Sequence, residues 1–415
     1  MSPTTRAAYA LGVVALLALV LPTAVIVTLG AAIVAATIAD VALARRPPRL
    51  SRSVPPVLVR GIAAPLVVTA GGNAHSRVRV RQPAVPDLTI DPPEADGRLE
   101  ARVTARRRGR HRLPPVAARR VGPLGLGSWQ FAGDRDTQIV VYPDVPAARR
   151  IVTALRRGRF RDPGLLARGP LGLGTEFETV RDYQPDDDIR QVNWAATART
   201  GRPMSNQYRI EQDRDVVCLL DSGRLMSAPI GDRTRLDAAL DALAAVVLVA
   251  DELGDRSGAI AFDAEIRRRV ATGRRNSAAV IAAVFDLEPR AIDSDYEVAF
   301  RLVGSSKRAL VVVFTDLLDE AAARSLVAAV PVIARRHAVV IASVRDPDVH
   351  RAVRTSPRDQ GDVYRAAVAL ELIDGRRRVV AELRRAGAEV VEASPEHLAL
   401  ACVAAYLRLK SRARI

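Results

Sequence analysis

The pattern of hydrophobic positions differs between parts of the chain. The N-terminal end is distinguished by continuous apolar runs. Residues 7–21 and 24–43 are nearly continuous apolar runs, separated by Pro22 and Thr23 and interrupted by one charge, Asp40. Two such runs in succession are not typical of a cleaved signal peptide, and the first is shorter than the ~20 residues of an ordinary span. We therefore expect a transmembrane helical hairpin that turns at Pro22, with a single tilted span as the alternative.

Arginines flank these runs unequally. Arg45, Arg46, Arg49 and Arg52 follow the second run, whereas Arg6 alone precedes the first. Positive residues accumulate on the cytoplasmic side of membrane spans, so the rest of the chain should face the cytosol under either topology. We therefore expect a protein of the cell inner (plasma) membrane, with cytoplasmic soluble domains and with membrane lipid around its N-terminal helices.

Short runs of alternating apolar and polar residues replace the continuous runs between about 54 and 142. They lie at 65–69, 76–81, 99–104 and 138–142, and clusters of Gly, Pro and Asn separate them. Alternation with a period of two predicts strands with one buried face, and the clusters predict turns. We expect a small, membrane-proximal β-sandwich-like domain. The arginine run at 106–110 is more typical of a turn with outward side chains than of a nucleic-acid or lipid patch.

Buried strands alternate with helices in the last half of the chain. Apolar runs at 216–220, 309–315 and 338–344 predict central strands of a parallel sheet, so the fold class is α/β with a doubly wound, mostly parallel sheet.

We divide the chain into a transmembrane hairpin with its basic flank (1–50), the β domain (51–150), a signature segment with a Gly-rich turn and an acidic helix start (151–210) and the α/β domain (211–415). Asp221 and Asp316 each follow a strand, and the carboxyl ends of parallel strands share one edge.

Composition restricts the class of partner. The formal charge is +16, but aromatic residues make up only 4% of the chain, so the arginines lack the interleaved aromatic side chains of many nucleic-acid surfaces. We expect no nucleic-acid partner. Cys218 and Cys402 lie in apolar runs, which predicts buried thiols and no disulfide, as suits a reducing compartment.

The signature segment contains the most specific pattern of the chain. Its glycine-rich turn is followed by an acidic helix start at 186–188, from which we expect a helix through 189–199 that stops at Gly201. The three adjacent carboxylates suit a cation site or acid–base chemistry, but five nearby arginines favour a structural charge cluster. The pattern consists of Gly172, Gly174, Glu176, Phe177, Arg181, Tyr183, Asp187, Ile189, Arg190, Trp194, Ala198 and Arg199.

This pattern resembles the hallmark of the bacterial domain of unknown function 58 family. The phrases RRRGRHRLPPV, VGPLGLGSW and VVYPDVP resemble the membrane-proximal β domain of the same family. The resemblance implies a degenerate von Willebrand factor A-like fold in the α/β domain. It also implies a partner, because family members often accompany MoxR-type AAA+ ATPases and act as adaptors in protein maturation or complex assembly. The signature residues would then serve either partner docking or structural bracing.

A von Willebrand factor A domain would hold Mg²⁺ at the carboxyl edge through an Asp-x-Ser-x-Ser loop, a threonine and a second aspartate. Asp221 takes the first position, but Gly223 and Leu225 take the serine positions. Ser222 is adjacent to Asp221 in sequence. Ser294 would take the threonine position and Asp316 the position of the second aspartate. The resemblance therefore implies a degenerate magnesium site at Asp221, Ser222, Ser294 and Asp316. Otherwise these aspartates are strand-end residues held by backbone amides.

Two functions are the main candidates from the sequence, and a third class, the binding of polyanions such as lipid or nucleic acid through the arginine-rich β domain, also remains open. The first is a non-enzymatic, membrane-anchored protein-interaction module with no cofactor. The alternative is a divalent-metal-dependent hydrolase that uses the strand-end aspartates. No nucleophile elbow, phosphate-binding loop or zinc signature is present, and the five histidines lack ligand spacing, so the first hypothesis is favoured.

Overall fold

The computed structural model describes residues 2–71, 78–133, 135–157, 176–184, 189–209, 213–303, 308–317 and 320–411. The chain divides into two compact units, Met1–Tyr142 and Pro143–Ile415. We call them the N-terminal unit and the C-terminal unit. The finer division into four segments and the assignment to a von Willebrand factor A-like class stay predictions.

The N-terminal unit combines two helices with short strands. Its helices are α1 (Thr5–Leu17) and α2 (Thr23–Ala44). Its strands are β1 (Ser2–Pro3), β2 (Arg49–Ser53), β3 (Val57–Val59), β4 (Ala64–Gly71), β5 (Val78–Arg81), β6 (Leu88–Asp91), β7 (Glu94–Asp96), β8 (Arg98–Ala105), β9 (Gly109–Leu113), β10 (Ala117–Val121), β11 (Gly127–Ala132) and β12 (Thr137–Tyr142).

The strands of the N-terminal unit form small sheets around one apolar core. Among the described residues, the sheet orders are β1-β11-β10-β5-β7, β2-β4-β8-β6 and β3-β12-β9. In β8, Leu99, Ala101, Val103 and Ala105 are buried while the residues between them are more exposed, as a period of two requires. These side chains join one hydrophobic cluster with residues of β4, β5, β9 and β12.

Helix α2 is long and apolar enough to cross a membrane. It has 22 residues and begins directly after Pro22, whereas α1 has 13 and is short for a span. At the far end of α2 the buried carboxylate of Asp40 accepts hydrogen bonds from the backbone amides of Leu124, Leu126 and Gly127. The end of the apolar helix is therefore attached to the turn that precedes β11.

The C-terminal unit alternates strands and helices. Its helices are α3 (Val145–Arg156), α4 (Trp194–Thr200), α5 (Arg235–Glu252), α6 (Ser277–Val284), α7 (Tyr296–Val303), α8 (Glu320–Ala334), α9 (Pro347–Arg354), α10 (Gln360–Arg385) and α11 (Leu398–Ser411). Its strands are β13 (Glu176–Asp182), β14 (Met204–Arg209), β15 (Asp215–Asp221), β16 (Pro229–Ile230), β17 (Arg233–Thr234), β18 (Arg256–Phe262), β19 (Ile266–Arg274), β20 (Ala309–Phe314), β21 (Ala338–Val344) and β22 (Glu389–Ala393).

The main sheet of this unit has the order β19-β18-β15-β20-β21-β22 over the described part of the chain. Neighbours from β18 to β22 are parallel, and β19 is an antiparallel edge strand on β18. The strand β15 lies at the centre, where the connections change direction. Ligands of open α/β sheets bind at the carboxyl edge near such a point.

Helices cover both faces of this sheet. Val217 and Leu219 of β15 pack on the face of α7, α8 and α10, in one cluster with β20 and β21. The other face carries α5 and α11, which contact each other and the sheet. Because side chains alternate along a strand, Asp221 projects to the same side as Leu219, towards α7.

Candidate functional site

Aspartates follow neighbouring parallel strands at the carboxyl edge of the main sheet. Asp221 ends β15, Asp263 follows β18, Asp316 follows β20, and Asp346 follows β21. The register pairs Leu220 with Phe314, so Asp221 and Asp316 lie on adjacent strands at the same edge. The sequence predicts this proximity correctly.

The carboxylate of Asp221 is enclosed by hydrogen-bond donors of the protein. It is 1% exposed. One oxygen accepts from the hydroxyl of Ser294 at 2.5 Å and from the amide of Gly223 at 2.8 Å. The other accepts from the hydroxyls of Thr315 at 2.7 Å and Tyr296 at 3.0 Å. Each oxygen therefore has two internal donors, which is what a buried carboxylate needs.

Burial and the neighbouring charge of Asp221 raise the pKa of Tyr296 well above its usual value. The phenol consequently keeps its proton and acts as a donor to the carboxylate. Tyr296 also contacts the Thr315 hydroxyl at 2.7 Å, so the two hydroxyls form a small network on one carboxylate oxygen.

The space around Gly223 is too small for the serine that the metal-binding pattern has at this position. A Cβ atom on Gly223 would lie 2.2 Å from the Ser294 hydroxyl and 2.7 Å from the carbonyl oxygen of Ile292. The Ser294 hydroxyl thus occupies the space that a side chain on Gly223 would need. Ser222 is also turned away, because its hydroxyl donates to the carbonyl of Phe262 at 2.9 Å.

Asp316 has a different environment, because its counter-charges are arginines. Its carboxylate forms an ion pair with Arg235, and the side chains are 1% and 6% exposed. A second guanidinium, that of Arg376, lies 3.7 Å away, and the hydroxyl of Ser343 donates to Asp316 at 3.3 Å. The Arg235 guanidinium also lies 3.7 Å from Asp346.

Arg235 occupies an electrostatically costly position. It is the first residue of α5, where the positive end of the helix dipole disfavours a cation. Burial and then the nearby Arg376 lower its pKa. The carboxylates of Asp316 and Asp346 offset these effects, so the three groups form one charge cluster in which Arg235 and Asp316 are buried and Asp346 is partly exposed.

A divalent cation does not fit this arrangement. Mg²⁺ needs close to six oxygen ligands in octahedral positions, and the Asp-x-Ser-x-Ser serines are replaced by Gly223 and Leu225. The hydroxyls of Ser294 and Thr315 are near Asp221, but the charge of Asp316 is already balanced by two guanidinium groups. No group of three His, Cys, Asp or Glu side chains suited to a metal occurs within the described residues.

The signature segment forms a separate feature of the C-terminal unit. Strands β13 and β14 pair as an antiparallel hairpin, and α4 lies between them in sequence. Asn193 is the N-cap of α4, because its side chain accepts from the backbone amide of Ala196; the same side chain also donates to Asn206. The helix ends at Gly201, which has φ 71°. Residues 189–191 form a 3₁₀ turn. The helix therefore begins at Trp194, whereas the sequence predicts it from 189.

Two large apolar side chains of this segment face solvent. Ile189 is 73% exposed and Trp194 is 72% exposed. Ala198 and Arg199 are also exposed on α4, while Arg181 and Tyr183 are half-buried. Gly172, Gly174 and Asp187 lie outside the described residues, as do the side chains of Glu176, Phe177 and Arg190.

The structure thus defines an α/β unit in which internal hydrogen-bond donors hold the carboxylate of Asp221 and arginines pair with that of Asp316. The same chain has a unit that carries an apolar N-terminal helix. Residues 179–352 match the family model described as "Protein of unknown function DUF58". The match begins in β13 and ends in α9, so it contains Trp194 together with the carboxyl-edge residues Asp221 and Asp316.

Uncharacterised proteins of Mycobacterium tuberculosis and Mycobacterium bovis are similar to part of the chain. Each is 27% identical over 194 residues, which cover 44% of this chain and 60% of the relative. The chain therefore spans less than two thirds of the relatives that it matches.

Proposed function

We propose that the chain is a membrane-anchored, cytosol-facing protein-interaction module with a von Willebrand factor A-like C-terminal domain. In this proposal the N-terminal hairpin anchors the chain in the plasma membrane, a β-sandwich-like domain follows, and the C-terminal unit presents the docking surface.

The exposure of Trp194 is the observation that carries this proposal. A tryptophan that is 72% exposed loses the hydrophobic stabilisation that burial would give it. Ile189 is equally exposed a short distance away in sequence. Tryptophan is enriched among the residues that dominate protein–protein binding energy. We call the exposed side chains of Ile189 and Trp194 the signature surface.

The partner that we propose is a MoxR-type AAA+ ATPase, on the basis of the family resemblance. The chain would then act as an adaptor of this ATPase in protein maturation or complex assembly. The match of residues 179–352 to a family of unknown function is compatible with this role and supplies no activity of its own.

The hydrolase alternative is weaker on physical grounds. A general base or metal ligand needs a carboxylate with an available lone pair at the reacting centre. The oxygens of Asp221 accept from four internal donors, and Asp316 is paired with Arg235 and Arg376.

Affinity purification of the full chain from detergent-solubilised membranes tests the proposal. The wild-type chain should recover a MoxR-type AAA+ ATPase. Trp194→Ala should reduce the recovery about tenfold or more, since losing an interface anchor costs about 2 kcal/mol or more.

The matched control is Tyr364→Ala, because Tyr364 is an aromatic residue of α10 that is 73% exposed and lies outside the signature surface. It should leave recovery unchanged. Wild-type preparations that never contain the ATPase would refute the partner, and equal loss in both variants would refute the signature surface.

A further inference from the structure

A second feature of the C-terminal unit lies at the amino end of the parallel strands, opposite the aspartates. A cavity of about 620 Å³ opens where β20, β21 and β22 begin, and its lining includes Arg308, His337 and Glu389. Small-molecule sites commonly have volumes of about 300–1,000 Å³. The cavity is therefore large enough for a metabolite.

His337 contributes an unused hydrogen-bond donor at this cavity. It is 4% exposed, and its Nδ1 accepts from the backbone amide of Ala309 at 3.2 Å. Burial, and secondarily the charge of Arg336, lower the pKa of His337, so the ring is neutral at physiological pH. A neutral ring whose Nδ1 accepts must carry its proton on Nε2. This Nε2 is buried and has no hydrogen-bond partner within the described residues.

The unused donor requires an acceptor. Leaving a buried donor unsatisfied costs about 1–3 kcal/mol, and folded proteins rarely tolerate it. No carbonyl or carboxylate of the described chain supplies the acceptor. Since His337 lines the cavity, a molecule bound there would supply it after a small rotation of the ring, because Nε2 is closed off from solvent in the present conformation.

The charges around the cavity determine the chemistry of that molecule. Arg308 and Arg384 line the cavity and are exposed, and in the described part of the chain neither makes an ion pair. Arg408 also lines it, and lies 2.6 Å from Glu389, whose charge is thereby balanced. The cavity consequently has an excess of positive charge, and guanidinium groups bind carboxylate and phosphate oxygens through paired hydrogen bonds.

We infer that this cavity binds a small metabolite with phosphate or carboxylate oxyanions, which accept hydrogen bonds from His337 Nε2 and from the guanidinium groups of Arg308 and Arg384. A water molecule would satisfy the histidine alone and would leave both cations without a counter-charge. The site does not depend on the proposed function, since the signature surface shares no residue with it.

Isothermal titration of the full chain in detergent micelles tests this site, with sodium pyrophosphate and trisodium citrate as probes at a fixed ionic strength. At least one probe should bind saturably with a dissociation constant below about 1 mM. Binding of pyrophosphate alone identifies phosphate oxyanions, binding of citrate alone identifies carboxylates, and binding of both identifies a general oxyanion site.

Arg384→Gln should weaken binding about tenfold, because one charge-assisted contact contributes about 1.5–3 kcal/mol. Arg385→Gln is the matched control: it removes the same charge from the next residue of α10, which does not line the cavity. His337→Asn should also weaken binding, because asparagine can still accept from Ala309 but lacks the Nε2 donor.

Two results would overturn the inference. One is the absence of saturable binding of either probe to the wild-type chain. The other is an equal loss of affinity in Arg384→Gln and Arg385→Gln, which would show a general effect of surface charge. Arg384 is exposed, so its variant decides the question even where His337→Asn fails to fold.

Discussion

The carboxylate of Asp40 accepts a 2.8 Å hydrogen bond from the backbone amide of Gly127, and this contact joins the end of α2 to the start of β11. The approach is possible because Gly127 has no side chain. A Cβ atom there would lie 2.4 Å from Cγ2 of Val41. With Leu124 and Leu126 also donating to Asp40, three amides share one buried anionic acceptor.

Asp40→Ala should destabilise the N-terminal unit by about 3 kcal/mol, because three backbone donors lose their acceptor. Thermal unfolding of the full chain in micelles, followed by near-ultraviolet circular dichroism, measures the change. Asp96→Ala is the control, because Asp96 pairs with Arg79 on the surface and its side chain is 77% exposed. Its effect should be under about 0.5 kcal/mol. Equal effects of the two substitutions would contradict the role of Asp40.

Gly223→Ala should destabilise the C-terminal unit by about 1–3 kcal/mol, because the new Cβ atom collides with the Ser294 hydroxyl. Ser294→Ala removes that hydroxyl. The double variant should therefore be more stable than the sum of the single effects, and denaturant titration of all four chains gives the coupling. Strict additivity would show that Ser294 does not occupy the space beside Gly223.

Arg235→Met should cost about 3–5 kcal/mol of unfolding free energy, because it leaves Asp316 buried with less compensation. Asp316→Leu should have a similar cost, because it leaves the guanidinium of Arg235 buried without its carboxylate partner. The double variant Arg235→Met/Asp316→Leu should be less destabilised than the two single costs added together, since no charge of the pair then remains buried. Denaturant titration provides the comparison, and a double cost equal to the sum would exclude a coupled pair.

Stability should fall as the pH rises above 9. Burial raises the pKa of the Cys218 thiol from 9.0 to about 12, so between these values the unfolded chain loses a proton that the folded chain keeps. A raised folded-state pKa stabilises the fold below the unfolded pKa, and this stabilisation is lost at higher pH by up to about 1.4 kcal/mol per pH unit. Tyr296 and Tyr406, whose pKa values are also raised by burial, add to the loss above pH 10.

The matched variant for this pH effect is Cys218→Ala, which removes one titrating group from the same buried position. Urea titrations at pH 8, 9 and 10 should give a shallower loss of stability for the variant than for the wild-type chain. Identical pH slopes would show that the Cys218 thiol is equally acidic in the folded and unfolded states.

Local patterns predict most strands of the main sheet. The apolar run 216–220 corresponds to β15 at Asp215–Asp221, and the run 338–344 is β21 itself. The sequence does not indicate α10, which extends from Gln360 to Arg385, because its N-terminal half is largely exposed and it contains Gly361 and Gly375. Its Asp359 cap, which accepts from the amide of Asp362, is the local signal that could have revealed it.

The carboxyl-edge site is only partly predictable. Strand-end positions indicate Asp221 and Asp316, and the family resemblance indicates Ser294. Thr315 and Tyr296 are visible as neighbours of those residues, but their convergence on one carboxylate depends on how α7 packs against β15 and β20. Arg235 is far from Asp316 in sequence, and its pairing requires the folded sheet. The local signal for Arg235 is that a cation stands at the first position of a capped helix, where the helix dipole disfavours it.

The antiparallel edge strand β19 has a consequence for self-association. Exposed sheet edges can recruit strands of other chains, and charged side chains on an edge strand oppose such recruitment. Arg268 and Arg269 are exposed in the middle of β19, and each copy of the chain would bring the same cations to an edge-to-edge encounter. Mutual repulsion would therefore keep neighbouring copies from stacking into continuous β-structure, also under the proposed membrane anchoring, which would concentrate them on a two-dimensional surface.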